Sequence, residues 1–264
     1  MSNVNRVFIT GDKHGDFSWL PQWCEENQTT TNDILILLGD HALRFEGIDN
    51  WREKNRKKKV AAQPITIFCV RGNHDRPYYK EDWTEWEDIQ LEVCSLLEQK
   101  TVMGGLKVYD DEMWHDTNYS NIWYFQDGGH YKIKDKTFFV YGGAFSVDWE
   151  YRRLMGWTWY PNEIVSYHRH IEILDIIDHQ HFNFILTHTC PYEWRPTDLF
   201  LSCIDQSKVD NTMEERLTEV EQYVGGYDAW YFGHYHANRD YGKISEYEWN
   251  GETIMLFDEV RRIL

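Results

Sequence analysis

Two aspartates, an asparagine and at least three histidines of metal-binding type each follow directly on a short apolar run in this 264-residue chain. Val7-Phe8-Ile9-Thr10 leads into Gly11-Asp12-Lys13-His14-Gly15, and Ile34-Leu35-Ile36-Leu37-Leu38 leads into Gly39-Asp40. Ile65-Thr66-Ile67-Phe68-Cys69-Val70 leads into Arg71-Gly72-Asn73-His74-Asp75. Phe182-Asn183-Phe184-Ile185-Leu186 ends at Thr187-His188, and Ala229-Trp230-Tyr231-Phe232 ends at Gly233-His234-Tyr235-His236. Ligands of a sheet with parallel strands collect beyond the carboxyl ends of the strands, so five such ends would gather these residues at one edge. Hard carboxylate oxygens mixed with imidazole suit one or two divalent transition metals. Asp12 and His14 are two residues apart, as are His234 and His236, and in extended backbone such pairs share a face and can grip a common site.

The elements that must position these residues read as follows. A strand at about 5–10 precedes a helix at about 16–27, with Asp16 or Ser18 as candidate caps and Trp19, Leu20 and Trp23 on its apolar face. A strand near 33–38, a helix near 49–62 and a strand near 65–70 continue a βαβ pattern, which implies a parallel sheet covered by helices. Residues 100–146 hold short runs broken by Gly104-Gly105, Asp127-Gly128-Gly129 and Gly142-Gly143. Tyr131-Lys132-Ile133 and Thr137-Phe138-Phe139-Val140 read as a hairpin through Lys134-Asp135-Lys136, so this region is expected to form antiparallel strands of a second sheet. A helix at about 161–179 beginning at Pro161, a strand at 182–187, a helix at about 211–224 and a strand at 228–232 follow. The tail reads as a hairpin of Ile244 to Trp249 and Thr253 to Phe257 around Asn250-Gly251.

The order of the motifs, G-D-x-H, G-D, G-N-H-D, T-H and G-H-x-H between residues 11 and 236, resembles the five blocks of the calcineurin-like metallophosphoesterase superfamily. Tyr141-Gly142-Gly143-Ala144-Phe145-Ser146, with the later Trp159, Pro161 and Glu163, and the stretch Trp230 to His236 resemble a bacterial and phage branch of it. The resemblance implies a four-layer α/β/β/α sandwich with two facing mixed sheets, here as one domain over 1–264. It implies Asp12, His14 and His236 around a first metal, Asn73, His188 and His234 around a second, and Asp40 bridging both. Two divalent ions are implied, Mn²⁺ first, with Fe or Zn open. A metal-bridging hydroxide would then attack phosphorus in line, and His74 would protonate the leaving oxygen. Asp75 is read as a structural residue that caps a helix or fixes a neighbour.

Arg44 and Arg71 match arginines of the Ser/Thr protein phosphatase branch and are candidate phosphate clamps, because guanidinium offers a bidentate fork. Arg152 and Arg153 are weaker candidates of the same kind. The chain departs from that branch at Leu43, where an Asp would pair with the catalytic His, and at Phe45, where the branch has Gly. The reading that follows is a dinuclear-metal phosphoesterase acting on a phosphodiester or nucleotide. A phosphomonoesterase or protein-phosphatase-like enzyme and a non-catalytic scaffold of the same fold are the alternatives. The partner that orients His74, the native metal pair, the natural substrate and the oligomeric state are left open.

Composition bounds the remaining possibilities. Hydrophobic and charged fractions of 42% and 27% are those of an ordinary globular protein. No apolar run reaches the ~18 residues of a membrane span, and the first residues lack the regions of a signal peptide, so a cytoplasmic protein is expected. The net charge of −17 argues against an extended nucleic-acid surface. The basic run Lys54-Asn55-Arg56-Lys57-Lys58-Lys59 is expected to be the solvated end of the helix that starts near Asp49. The five cysteines form no CxxC pair and are read as buried free thiols. Cys69 to Arg76 is one residue too long for the C-x5-R loop of cysteine phosphatases. Trp157, Trp159 and Tyr160 could stack a nucleobase, or form core or a lid. His41, His115, His130, His168, His170, His179 and His181 have no ligand-like context.

Overall fold

The apolar runs ahead of the candidate ligands are continuous because both of their faces are buried. In β1 (Val7–Thr10), Val7 and Ile9 join the central core while Phe8 joins an outer one. β2 (Ile34–Leu37) and β3 (Thr66–Cys69) divide in the same way, Ile34, Ile36 and Phe68 inward, Leu35, Leu37, Ile67 and Cys69 outward. Fully burying one such side chain stabilises the fold by about 1.5–3 kcal/mol, so a register slip that exchanged the faces would be costly. These elements belong to a computed structural model that describes residues 6–47, 50–77, 91–94 and 113–264.

The described strands form two sheets. The first contains β4 (Leu91–Cys94), β5 (Met113–Asp116), β6 (Ile122–Tyr124) and β13 (Arg261–Arg262) in the order β13-β1-β2-β3-β6-β5-β4. Its strands β1, β2, β3 and β6 are parallel, with Phe8 opposite Leu35 and Leu35 opposite Ile67. The second consists of β7 (Gly129–Ile133), β8 (Lys136–Tyr141), β9 (Phe182–Thr187), β10 (Tyr227–Phe232), β11 (Arg239–Gly242) and β12 (Glu252–Met255) in the order β11-β12-β10-β9-β8-β7. Here β8, β9, β10 and β12 are parallel.

Val7, Ile9, Ile36 and Phe68 from the first sheet share one core with Phe138, Leu186, Tyr231 and Ile254 from the second, so the sheets face each other. Helices α1 (Leu20–Glu26) and α2 (Trp51–Ala61) cover the outer face of the first sheet through Leu20, Cys24 and Val60. α4 (Tyr167–Ile177) and α5 (Thr212–Tyr223) cover the second through Ile173, Ile177, Leu217 and Val220. The result is the expected four-layer α/β/β/α sandwich. A further helix, α3 (Trp149–Met155), buries none of its residues and lies outside the layers.

Several expectations need correction. β5 and β6 extend the first sheet, and only the β7–β8 hairpin enters the second. Gly104 and Gly105 lie outside the described residues. The helix expected from Pro161 starts at Tyr167, capped by Ser166, whose side chain accepts from the Arg169 amide. Asp16 binds the Ser18 amide and hydroxyl in a turn of its own, and Trp19 is the N-cap of α1. The tail strand pairing β12 is Arg239–Gly242, because β12 takes its place from parallel pairing with β10, leaving residues 243–251 as the connection. The basic run is not wholly solvated. Lys57 is buried between Glu53 (3.2 Å) and Asp116 (2.9 Å), and Arg56 pairs with Glu46. Cys24, Cys69 and Cys190 are buried free thiols, whereas Cys203 is exposed. No helix among the described residues is long and apolar enough to cross a membrane.

Candidate metal centre

Asp12, His14, Asp40, Asn73, His188, His234 and His236 come from the ends of β1, β2, β3, β9 and β10, which all point to the same edge of the sandwich. The structure brings the seven together. Four of them, His14 (φ 44°), Asp40 (φ 44°), His234 (φ 69°) and His236 (φ 53°), adopt left-handed backbone, which non-glycine residues rarely take. Such conformations cost of order 1–3 kcal/mol each and gather at functional sites. The glycines of the motifs are explained by close approach. A Cβ on Gly72 would lie 2.1 Å from Asp40 Oδ1, and one on Gly39 (φ 99°) would lie 2.2 Å from His188 Nδ1.

Both aspartates use one oxygen to hold another motif. Asp12 Oδ1 accepts from the His234 amide (3.0 Å), and Asp40 Oδ1 accepts from the His74 amide (2.9 Å). The second oxygens face the ligand cluster. Asp12 Oδ2 is buried without a hydrogen bond, 3.4 Å from His236 Nε2. Asp40 Oδ2 lies 4.0 Å from His14 Nδ1 and 3.7 Å from His74 Nε2. His14 Nε2 and His236 Nε2 approach to 2.8 Å. Asp12, His14 and His236 can share one ion by geometry, and so can Asp12, Asp40 and His188.

On the other side, His188 Nδ1 lies 2.7 Å from the Leu38 carbonyl oxygen, a bond that only an N–H can make. Neutral His188 therefore presents the lone pair of Nε2, which sits 2.9 Å from Asn73 Oδ1. Asn73 Nδ2 donates to Ser146 Oγ at 2.8 Å, so the oxygen is the end that faces His188. Two lone pairs opposed at this distance need a shared proton or a cation between them. His234 packs beside them, its ring 5.0 Å from that of His188. This donor set, with a buried Asp12 oxygen that makes no hydrogen bond, suits a divalent cation.

Protonation states agree with that fit. Burial would raise the Asp40 carboxyl, but His74, His188 and His14 outweigh it and hold the group well below the usual carboxylate range. Burial pushes His234 down to about 3, so its imidazole is neutral and ready to ligate. Burial opposes protonation of His188, yet Asp40 and Asp12 raise it above its ordinary value. That is the behaviour of a site where positive charge is wanted.

Around the ligands, Asp75 accepts from the amides of Gly72 (2.9 Å) and Ala42 (3.1 Å), tying the β2 and β3 motifs together, which is the structural role expected of it. His74 is in reach of the cluster, and its Nε2 lies 3.3 Å from Arg152 Nη2. Arg152 is in turn gripped by Asp148, both of whose oxygens lie 2.8 Å from its Nε. Leu43 is buried in the outer core and offers His74 no carboxylate, and the side chain that faces His74 Nε2 from α3 is Arg152.

Both candidate clamps, Arg44 and Arg71, are buried. Arg71 donates from Nε to Asp127 Oδ2 and from Nη1 to the Glu163 carbonyl, both at 2.7 Å, and is fully buried. Arg44 is 1% exposed, donates to the Pro77 carbonyl (3.3 Å) and lies over the Tyr124 ring. Arg152 lines the cleft, and neither Arg44 nor Arg71 is among its described lining residues. Trp159 donates to Glu163 and packs on Trp149, and Tyr160 donates to the Phe45 carbonyl, so both are structural. Trp157 is exposed at the cleft rim. Asp148 and Ser146 carried no expected role. Ser146 and Glu163 stand within the Tyr141 to Glu163 motif, which was the one signal pointing to them.

Residues 5–238 match the family model described as calcineurin-like phosphoesterase, which covers all five motifs. No curated protein matches the chain.

Proposed function

The chain belongs to the calcineurin-like phosphoesterase family, and from that premise we propose a dinuclear-metal phosphoric ester hydrolase acting on a phosphodiester or nucleotide. The observation that carries this reading is that Asp12, His14 and His236, and likewise Asp12, Asp40 and His188, bring ligand atoms close enough to share an ion, beside a buried Asp12 Oδ2 that makes no hydrogen bond. Asp12, His14 and His236 would hold one ion, Asn73, His188 and His234 the other, and Asp40 both. Two such ions, when bound, acidify water and neutralise charge on phosphoryl oxygens. Mn²⁺ is the proposed pair, because Mg²⁺ prefers oxygen ligands and retained water to imidazole.

The chain's own side chains supply the rest. Hydrolysis forms one P–O bond to water and breaks the P–O bond to the departing group, whose oxygen needs a proton. His74 is placed to deliver it; burial lowers the pKa of its imidazole and the Asp40 carboxylate opposes that shift. Arg152, held by Asp148, offers the guanidinium nearest to His74 and would bind a non-bridging phosphoryl oxygen.

Two cavities favour a diester. One of about 640 Å³ and one of about 510 Å³ share Asp40 and His74, so each ester group of a diester has its own place. The burial of Arg44 and Arg71 also removes two cations that a monoester dianion would have used. The test is hydrolysis of bis(p-nitrophenyl) phosphate against p-nitrophenyl phosphate, with Mn²⁺ and after chelation. The diester is expected to have the higher kcat/KM, and chelation is expected to abolish both. The thiols of Cys24, Cys69, Cys190 and Cys203, all unpaired, support a cytoplasmic location.

A further inference from the structure

Two of the cavities that open on the metal centre, the pair that share Asp40 and His74, differ in charge, and an ion pair stands between them. Asp148 lines the smaller cavity and Arg152 the larger, and the two side chains are 2.8 Å apart. Among the described residues of the larger cavity, Arg52, Arg56 and Arg152 face two carboxylates, Asp40 and Glu46. Arg56 and Arg152 are held by Glu46 and Asp148, while Arg52 is exposed, 5.7 Å over the Trp51 ring between this cavity and a neighbouring one, with no carboxylate partner among the described residues. In the smaller cavity four carboxyl groups, Asp40, Asp148, Asp210 and Glu214, face one arginine, Arg195. Arg195 lies 3.4 Å over the Tyr192 ring and donates to Asn211, so it is already engaged.

The smaller cavity is also the apolar one. Phe145, Val147, Leu199, Phe200, Leu201 and Ile204 line it, and Val147, Leu199 and Leu201 are exposed there. A chain with a net charge of −17 that gathers three arginines on one side of its site has sorted charge locally against its overall field. An anionic group is attracted by the arginine side and repelled by the other. An uncharged aromatic or apolar group gains from burial in the smaller cavity and meets no charge penalty there.

We propose that the substrate is an unsymmetrical phosphodiester whose one ester group carries a further phosphate, bound in the arginine-lined cavity, and whose other ester group is an uncharged aromatic ring system, bound in the apolar cavity. Arg52 is the residue that reads the additional phosphate. This inference rests on the phosphodiesterase reading of the same site and names the substrate class for it. The reacting phosphate sits where the cavities join, beside His74 and Asp40, so the charge of each ester group sets the direction in which the diester lies.

Two esters of thymidine 5′-phosphate with p-nitrophenol, one with and one without a 3′-phosphate, test the sorting in the Mn²⁺-loaded protein. The 3′-phosphate is expected to raise kcat/KM by about three- to tenfold, mainly through KM, as for one charge-assisted contact at a partly exposed site. Arg52→Glu should bring the ratio between the two esters to about one. A ratio of one or below in the unaltered protein, or a ratio that Arg52→Glu leaves standing, overturns the proposal. A readout without turnover separates the proposal from the hydrolase reading. Thymidine 3′,5′-bisphosphate should bind more tightly than thymidine 5′-phosphate by calorimetry, and Arg52→Glu should erase the difference. If the binding difference is present but no ester is cleaved with any divalent ion, the hydrolase reading fails while the charge sorting stands. If cleavage is present and the binding difference absent, the reverse holds.

Discussion

Ser146 decides which way the Asn73 amide faces. The Glu163 carboxylate takes both donors of Ser146, the amide at 2.9 Å and the hydroxyl at 2.6 Å. With its proton given to Glu163, Ser146 Oγ can only accept, and the Asn73 group 2.8 Å away must be the NH₂. The Asn73 oxygen is thereby turned toward His188. Trp159 donates to the same carboxylate (3.2 Å), and Arg71 holds the Glu163 carbonyl, so the lock is itself fixed from two sides.

Removing the lock should loosen one metal and spare the other. Ser146→Ala frees the amide to turn, and groups that orient ligands are typically worth about 10–100-fold in metal affinity. A Mn²⁺ titration should show the weaker site shifted by that factor with the tighter one unmoved. Equal weakening of both sites, or of neither, would show that Ser146 does not act through Asn73.

Glu163 also carries a pH signature. Burial pushes its carboxyl up to about 7, against the hydrogen bonds from Ser146 and Trp159 that favour the charged form. The unfolded group titrates near ~4.3. Between these values the unfolded chain releases a proton that the folded chain keeps, so stability falls as pH rises through the window, by roughly 4 kcal/mol. Glu163→Gln lacks that titration. Denaturant melts of metal-free protein from pH 4 to 8 should show the unaltered chain losing stability relative to the variant as pH rises. Parallel curves would refute the assignment.

Arg71 and Arg152, both read from sequence as clamps of one kind, should separate in experiment. Arg71→Ala leaves Asp127 buried without its guanidinium and should cost about 3–5 kcal/mol of stability. Arg152→Ala should change the melting temperature little and lower kcat/KM by about tenfold or more, since it removes a charge-assisted contact at the reacting phosphate. A stability loss for Arg152→Ala as large as for Arg71→Ala would place both in the core.

His74 is tested by leaving groups. If it protonates the departing oxygen, His74→Ala should reduce cleavage of alkyl esters by about 10²–10⁴-fold and of nitrophenyl esters far less. Equal losses for leaving groups of very different acidity would make His74 a phosphate-positioning residue.

The gathering of the candidate ligands at one edge was legible because the physics is local. An apolar run buried on both faces must be a central strand, and a Gly-Asp or Gly-His pair at its carboxyl end has one edge to point to. The clamps were not legible, because adjacency in sequence says nothing of side-chain direction. Arg71 precedes Gly72 and Asn73, yet it points away into the core toward Asp127. Arg152 lies 78 residues from His74, and only the packing of α3 beside the cleft brings them to 3.3 Å. The tail failed for a similar reason. Asn250-Gly251 is a hairpin signal, but Gly251 packs against the Asp228 carbonyl where β12 enters its parallel pairing with β10, and that long-range pairing sets the strand.

In the proposed mechanism Asp40 joins two metal ions into one hydrolytic centre. Titrating metal-free protein with Mn²⁺ while following hydrolysis of bis(p-nitrophenyl) phosphate tests it most directly. Activity should be absent without metal, rise until two equivalents are bound per chain, and collapse in Asp40→Asn together with both binding steps. Full activity in metal-free protein, or saturation at one equivalent with Asp40→Asn still active, would contradict it.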